Sequence, residues 1–206
     1  MIAIVDYGVG NLFSLRSSLL YIGQEAVITA DPAVLRAAEK IILPGVGAFG
    51  DAAEKLRATG LGELVKQEAG KGKPVLGICL GMQLLLEKSY EYGEHEGLGL
   101  IPGVIRPIAD VIPADYKIPH IGWNALRFGN EKHPLFRYLE EGDHVYFVHS
   151  YYGAQCEESV IATAEYGASL TAAVARGNVM GCQFHPEKSG SVGLAILRAF
   201  CETEVV

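Results

Sequence analysis

The chain has 206 residues, half of them hydrophobic, and its 24 acidic and 17 basic side chains give a formal net charge of −7. This length allows a sizeable core in one large or two small domains, and the acidic balance disfavours the clustered basic surface that nucleic-acid binding needs. The N-terminus lacks the basic segment of a signal peptide, and no apolar run approaches the roughly 18 residues that span a bilayer, so we expect a cytoplasmic protein without nucleic-acid or membrane partners.

The first half of the chain alternates predicted strands and helices. Strands are expected at residues 2–5, 26–30, 40–43 and immediately before Cys79. The helices between them are indicated by apolar spacing and capping residues: one from Leu12 to Ile22, one opened by Asp31-Pro32, and one through Leu61 and Val65. This βαβα pattern predicts a parallel sheet covered by helices on both faces.

The second half of the chain has a different character. Residues 93–119 are rich in Gly and Pro and are expected to form loops with short strands. Further strands are predicted at 145–149, 160–165, 170–175 and 179–184, with a two-residue hairpin at Gly177-Asn178. A final helix carries Val192, Ala195, Ile196, Ala199 and Phe200 on one face. We therefore expect one α/β domain over residues 1–206, with a mixed, mostly parallel sheet extended by antiparallel strands.

The segment around Cys79 has the form G-x-C-x-G and follows the apolar run of a buried strand. This is the pattern of a nucleophile elbow with cysteine in place of serine. The flanking glycines leave room where a Cβ would clash, and a helix N-terminus beside the sulfur favours the reactive thiolate. The alternative is a buried structural cysteine, which on this segment alone is the commoner case.

His185, Pro186 and Glu187 provide a base and an acid for such a nucleophile. Proline favours an extended conformation at the residue before it, and side chains two apart in an extended segment project to the same side. The Glu187 carboxylate can therefore orient the His185 imidazole, as in a nucleophile–base–acid triad. The alternative is a solvated loop histidine.

Two glycine-containing loops follow predicted strands. Amides of Val46 and Gly47, together with the Leu80 amide after the nucleophile, are suited to stabilise an oxyanion. The alternatives are a plain turn or a phosphate cradle, although the loop lacks the P-loop ending. The loop that ends in Asn11 resembles the start of a dinucleotide fingerprint, but Phe13 occupies the third glycine position. The alternative is that Asn11 caps the helix that follows.

The four cysteines are widely separated, with no C-x-x-C spacing. Neither a zinc site nor a redox pair is predicted, and a reduced compartment is the natural setting. We expect no metal and no cofactor. The cysteines are Cys79, Cys156, Cys182 and Cys201.

With the Gly-Met-Gln after the nucleophile, these motifs resemble class I (triad-type) glutamine amidotransferases, which have a flavodoxin-like fold. Three further blocks resemble the glutaminase subunits of imidazole glycerol phosphate synthases, and the likeness extends over essentially the whole chain. The blocks are residues 4–12 (IVDYGVGNL), 119–124 (PHIGWN) and 146–151 (YFVHSY).

The resemblance implies a role for each matching residue. Cys79 attacks the carboxamide of L-glutamine, His185 carries the proton, and Glu187 orients His185. The positions that hold glutamine correspond to Gly47, Gln83, Glu91, Ser150 and Tyr151, with Glu91 suited to the substrate ammonium. The alternatives are an exposed helix residue for Gln83 and an exposed loop residue for Glu91. The family commonly has threonine where Ser150 stands.

The resemblance also implies a heterodimer with a (β/α)8-barrel cyclase, which receives the ammonia. This chain is too short to include such a barrel, which needs roughly 200 further residues. Asn11, Trp123, Tyr146 and Lys188 match interface positions. A plain core tryptophan, a strand tyrosine and a solvated lysine are the alternatives for the last three.

Three other functions compete with this one. Another triad-type amidotransferase subunit or a γ-glutamyl hydrolase shares the elbow and the His-x-Glu pair, but the block from Asp6 to Leu12 argues against both. A cysteine-based redox protein does not need His185 and Glu187. A non-enzymatic binding module leaves the elbow, the loop and the triad spacing unexplained.

Overall fold

The computed structural model describes residues 1–129 and 131–203. The helices are α1 (Leu12–Tyr21), α2 (Pro32–Ala37), α3 (Phe49–Thr59), α4 (Leu61–Gly70), α5 (Leu80–Leu85) and α6 (Gly190–Cys201). The strands of the first half are β1 (Ile2–Val5), β2 (Ala26–Thr29), β3 (Lys40–Gly45), β4 (Val75–Cys79), β5 (Lys88–Ser89) and β6 (His95–Glu96). The remaining strands are β7 (Val104–Pro107), β8 (His120–Ala125), β9 (Arg127–Phe128), β10 (His144–His149), β11 (Tyr151–Ala154), β12 (Val160–Glu165), β13 (Ser169–Arg176) and β14 (Val179–Cys182).

The main sheet has eight strands in the order β2-β1-β3-β4-β14-β13-β12-β9. Its first five strands are parallel, and β13, β12 and β9 add to them in antiparallel pairs. The predicted mixed, mostly parallel sheet is therefore confirmed. Two smaller sheets lie beside it, one of β8 with β10 and one in the order β11-β7-β5-β6.

Helices cover both faces of the main sheet. Alternate side chains of a strand point to opposite faces, and along β3 the side chains of Ile41 and Leu43 enter one buried cluster while Ile42 enters another. The first cluster includes residues of α3, α4 and α5, and the second includes residues of α1 and α6. This two-sided burial explains why the parallel strands are apolar over most of their length.

The structure differs from the sequence prediction in three elements. The helix expected through Leu61 is the second of two helices, because Gly60 adopts a left-handed conformation (φ +72°) and separates α3 from α4. The strand expected to extend to residue 184 ends at Cys182. Strand β8 was not predicted, since its inward and outward residues do not alternate cleanly in hydropathy.

Asp31 begins α2 as predicted, because its carboxylate accepts a 2.8 Å hydrogen bond from the Ala33 amide. Asn11, by contrast, precedes α1 without capping it through its side chain. Within the described ranges, none of the helices has the length and apolar character needed to cross a bilayer.

Candidate active site

Cys79 is the last residue of β4 and stands directly before α5. Its backbone has φ +54° and ψ −112°, a conformation that non-glycine residues rarely adopt. Strain of this kind persists only when the surrounding structure imposes it, and it is concentrated at functional sites. The sharp turn directs the sulfur into a cleft at the carboxyl edge of the parallel strands.

The glycines around Cys79 are required by the close approach of neighbouring backbone. A Cβ on Gly81 would lie 1.8 Å from the carbonyl oxygen of Leu43, and one on Gly77 would lie 2.7 Å from the Gly81 oxygen. Gly45, which pairs with Cys79 across β3 and β4, would place a Cβ 2.9 Å from the Gly81 amide. The turn therefore requires glycine, which has no Cβ, at all three positions.

The structure brings Cys79, His185 and Glu187 together. His185 lines the same cleft as Cys79, and its Nδ1 lies 2.8 Å from Glu187 Oε1. Both members of the His–Glu pair have side chains only 3% exposed. Burial lowers the pKa of His185, but hydrogen bonds and charge from Cys79 and Glu187 outweigh it and raise that pKa to about 9.

The local conformation of this loop differs from the prediction in one respect. His185 is extended (φ −103°, ψ 97°), as expected before a proline, but Pro186–Lys188 forms a 3₁₀ turn rather than an extended segment. The His–Glu contact is therefore made across one tight turn. Three hydrogen bonds anchor this turn: the His185 amide to the Tyr146 carbonyl at 3.0 Å, the Ser189 hydroxyl to the His185 carbonyl at 2.6 Å, and the Tyr146 amide to Ser189 Oγ at 3.0 Å.

A cleft of about 570 Å³ opens above the sulfur. Every residue predicted to form the oxyanion site or to hold the substrate lies on its wall. These are Val46, Gly47, Leu80, Gln83, Glu91, Ser150 and Tyr151. Both Val46 and Gly47 are exposed to solvent, and Gly47 has φ +93°, a conformation that suits glycine.

Two of these wall residues are buried and hydrogen-bonded, and so are less exposed than the sequence indicated. Gln83 is buried and donates from Nε2 to the Tyr151 carbonyl oxygen at 3.3 Å. Glu91 is also buried, and its Oε2 accepts a hydrogen bond from the Phe49 amide at the start of α3. One carboxylate oxygen of Glu91 is thus used to hold the cleft wall against α3.

A chain of polar side chains begins at the buried His149 on the cleft wall, and sequence reasoning did not single it out. His149 Nδ1 is 2.8 Å from the Tyr151 carbonyl oxygen, His149 Nε2 is 2.9 Å from His120 Nδ1, and His120 Nε2 is 3.3 Å from Asn124 Nδ2. Because a carbonyl only accepts, each histidine donates from Nδ1 and accepts at Nε2. Burial lowers the pKa of both histidines to about 4, which keeps them neutral at pH 7. The detectable signal was a histidine at the inward position of an alternating strand, as His149 is in β10.

These pKa values predict that stability is greatest near pH 6.5. As the pH falls from 6.5 towards 4, unfolded chains protonate His120 and His149 while folded chains do not, so stability decreases. As the pH rises from 6.5 through 9, the stabilisation from protonated His185 is lost. Each group contributes on the order of 3 kcal/mol over its window. Denaturant unfolding at several pH values measures the profile.

A variant isolates the contribution of His149 to the decrease in stability below pH 6.5. His149→Gln is expected to lower the slope between pH 6.5 and 4.5 by about 1.4 kcal/mol per pH unit, which is one proton. His144→Gln, on the exposed end of the same strand, serves as the control and should keep the wild-type slope. Equal slopes for His149→Gln and wild type would contradict the assignment.

Three of the four residues predicted at a partner interface form one contiguous surface. The Trp123 and Tyr146 rings meet edge to face with centroids 6.2 Å apart, and Lys188 Nζ lies 5.8 Å from the Tyr146 ring centroid. Trp123 is 55% exposed, which is incompatible with a plain core tryptophan. Asn11 lies apart from them, on the wall of a narrow void that it shares with His185 and Glu187.

Glu187 has one carboxylate oxygen without a hydrogen-bond partner among the described residues, namely Oε2. No group of three or more potential metal ligands occurs within residues 1–129 and 131–203. All four cysteines are free, and only Cys201 is not buried. Of these, Cys79 is the one that lines the cleft.

A cysteine presented in this way, with a histidine–carboxylate pair in contact, is the arrangement of an enzyme that forms a covalent intermediate on sulfur. The family model for glutamine amidotransferase class-I matches residues 3–203, and the chain belongs to that family.

The fold agrees with this assignment. A solved glutamine amidotransferase superposes with a TM-score of 0.76 at 20% identity, covering 98% of both chains. The PurLQS structure from Thermotoga maritima gives 0.75 at 22% identity, covering 97% of this chain and 96% of the other.

Curated relatives are more similar in sequence and match over nearly their full length. Imidazole glycerol phosphate synthase subunit HisH from Wolinella succinogenes is 50% identical over 98% of this chain and 99% of its own. The HisH subunit from Sulfurimonas denitrificans is 52% identical over 97% of both chains. The one from Lactococcus lactis is 48% identical over 98% of both.

Proposed function

We propose that this chain is the glutaminase subunit of an imidazole glycerol phosphate synthase, acting in histidine biosynthesis in the cytoplasm as a single domain. The observation that carries the proposal is Cys79, strained at the end of β4 and sharing its cleft with His185 of a His–Glu pair, in a chain about 50% identical to HisH subunits. The substrate is L-glutamine, and the ammonia released is used by a partner subunit.

In the proposed mechanism, the Cys79 thiolate attacks the carboxamide carbon of glutamine and forms a tetrahedral intermediate. Amides of Leu80 and of the Val46–Gly47 segment stabilise its oxyanion. His185 then protonates the amide nitrogen, the C–N bond breaks, and ammonia leaves a γ-glutamyl thioester on sulfur. Water, deprotonated by His185, attacks the thioester, and glutamate departs as the thiolate reforms.

The remaining cleft residues are proposed to hold the substrate. Glu91 attracts its α-ammonium group, while Gln83, Ser150, Tyr151 and Gly47 line the path of its backbone and side chain. The contact between Glu91 and the Phe49 amide supports this role, because it holds the carboxylate at the cleft wall rather than in solvent. A charged group at that end selects an amino acid over a simple amide.

The partner is proposed to be a (β/α)8-barrel cyclase. This cyclase converts a ribulosyl aminoimidazole substrate and ammonia to imidazole glycerol phosphate and aminoimidazole carboxamide ribotide. Trp123, Tyr146 and Lys188 would form its docking surface, and Asn11 a second contact. Tyr146 connects this surface to the active site, because its carbonyl holds the His185 amide and its own amide bonds Ser189. Partner binding at Tyr146 can therefore act on the His185 loop. Val46, β-branched between two glycines, is a candidate for a peptide flip on partner binding.

The proposal is tested with the cyclase from the same organism. The two chains should co-purify, 6-diazo-5-oxo-norleucine should form one adduct on Cys79, and the cyclase with its nucleotide ligand should accelerate glutamine hydrolysis. Absence of an adduct even with cyclase present would contradict the amidotransferase mechanism. A free chain as active as the liganded complex would contradict the peptide flip.

The docking surface has its own test. Trp123→Ala is expected to weaken cyclase binding by about 30-fold or more, since exposed tryptophans at interface centres commonly contribute 2 kcal/mol or more. Tyr21→Ala is the matched control, because Tyr21 is 80% exposed and lies at the far end of α1, away from the carboxyl edge of the sheet. Titration calorimetry measures both. Equal losses in the two variants would remove Trp123 from the interface.

A further inference from the structure

Gln183 is a buried amide that contacts the sulfur of Cys79. It follows β14, which is the parallel neighbour of β4, and therefore arrives beside Cys79 at the same edge of the sheet. Its side chain is fully excluded from solvent, and its Nε2 lies 3.7 Å from Cys79 Sγ. A polar group buried this completely must use its hydrogen-bonding atoms within the protein.

The orientation of this amide follows from its neighbours. The Tyr151 carbonyl can only accept, so Gln83 must direct Nε2 towards it. The same Nε2 lies 2.9 Å from Gln183 Oε1 and donates to it. With its oxygen held by Gln83, Gln183 has its amide nitrogen, and not its oxygen, against the sulfur of Cys79.

We propose that Gln183 is a further catalytic residue, whose amide donates a hydrogen bond to Cys79 Sγ and stabilises the thiolate. The inference deepens the proposed function and rests on it for the reaction that the thiolate performs. The bond is strongest whenever the sulfur is anionic, because a hydrogen bond to a charged acceptor exceeds one to a neutral acceptor. That is the case before attack on the substrate and again when the thioester breaks and sulfur departs as the leaving group.

The test is the pH dependence of Cys79 alkylation by iodoacetamide, followed on the Cys79 peptide by mass spectrometry. Gln183→Met keeps the length and apolar volume of the side chain but removes the donor. We expect the midpoint of its pH profile to move up by about one pH unit, because one charge-assisted hydrogen bond is lost. The limiting rate at high pH should rise by about two- to threefold, since a more basic thiolate is more nucleophilic.

Two further variants make the result specific. Gln183→Glu places a carboxyl group against the sulfur and is expected to move the midpoint higher than Gln183→Met does. Cys182→Ala removes the thiol of the residue before Gln183, which donates a hydrogen bond to the Gly77 carbonyl. This variant should keep the wild-type midpoint. A folded Gln183→Met protein with an unchanged midpoint, or with only a lower limiting rate, overturns the proposal.

A second measurement needs no substitution at Gln183. In ¹⁵N-labelled protein, one side-chain amide proton of Gln183 should shift downfield across the same pH midpoint as alkylation, and Cys79→Ala should abolish that shift. A Gln183 resonance insensitive to both overturns the proposal. Iodoacetamide is not a glutamine analogue, so a positive result in a chain that fails to hydrolyse glutamine would refute the proposed function while retaining the Gln183 contact.

Discussion

Replacing Cys79 with alanine is expected to reduce glutamine hydrolysis on the order of 10⁴-fold or more, because no other group in the cleft can form the thioester. The fold should survive, since alanine is smaller than cysteine and adds no atom to a crowded turn. The complex with the cyclase should still form imidazole glycerol phosphate from added ammonia. Coupled assays with glutamine and with an ammonium salt separate the two activities.

Cys182→Ala is the matched control for this variant. Cys182 is fully buried in the neighbouring strand and lies away from the cleft wall, so its loss tests packing at the same place without removing the nucleophile. We expect it to retain glutamine hydrolysis within a few-fold. Loss of ammonia-dependent synthesis in Cys79→Ala would contradict the division of labour between the two subunits.

Gly81→Ala is expected to destabilise the protein by about 3 kcal/mol or more and to abolish glutamine hydrolysis. Its Cβ would lie 1.8 Å from the Leu43 carbonyl oxygen. The Cβ is fixed to the backbone of α5 and the oxygen belongs to the backbone of β3, so neither atom can move independently of its element. Relief of the overlap must displace either the turn that presents Cys79 or the strand that leads to Val46. Denaturant unfolding and a glutaminase assay measure the two effects.

Gly70→Ala controls for the loss of glycine itself. Gly70 ends α4 with no atom within 4 Å of its added Cβ. Alanine there should be neutral or should stabilise by up to about 1 kcal/mol, with activity unchanged. Equal stability of the two variants would show that the turn around Cys79 tolerates a side chain, and the argument from close approach would fail.

Local physical chemistry explains why much of the fold could be predicted. Strands β3 and β4, which contain Ile41 and Leu76, are mostly apolar because both of their faces are buried. Such apolar runs are visible in the sequence. Asp31 with Pro32 marks a helix start by chemistry confined to three residues. The G-x-C-x-G spacing reflects contacts within one turn, so the elbow at Cys79 was also recognisable.

Other features depend on residues far apart in the chain. Gln183 and Gln83 are separated by 100 positions, and His120 and His149 by 29. Nothing in the local pattern of either residue specifies its partner, because the pairing depends on β14 lying beside β4 and on β8 pairing with β10. The 3₁₀ turn at Pro186–Lys188 was missed for a related reason. Besides its own backbone hydrogen bonds, it is held by Tyr146, which lies about 40 positions earlier in the chain.

The sequence by itself therefore determined the α/β class and predicted Cys79 as a nucleophile with His185 and Glu187 as its base and acid. Only the tertiary structure decided how Gln183 faces the sulfur, how Tyr146 holds the His185 loop, and that Trp123 lies in the exposed patch beside Tyr146 and Lys188. The physical reason is the range of the interactions. Turn geometry and strand burial are set by neighbouring residues. The direction of a buried hydrogen bond is set by the groups, often distant in sequence, that the fold packs against the donor and the acceptor.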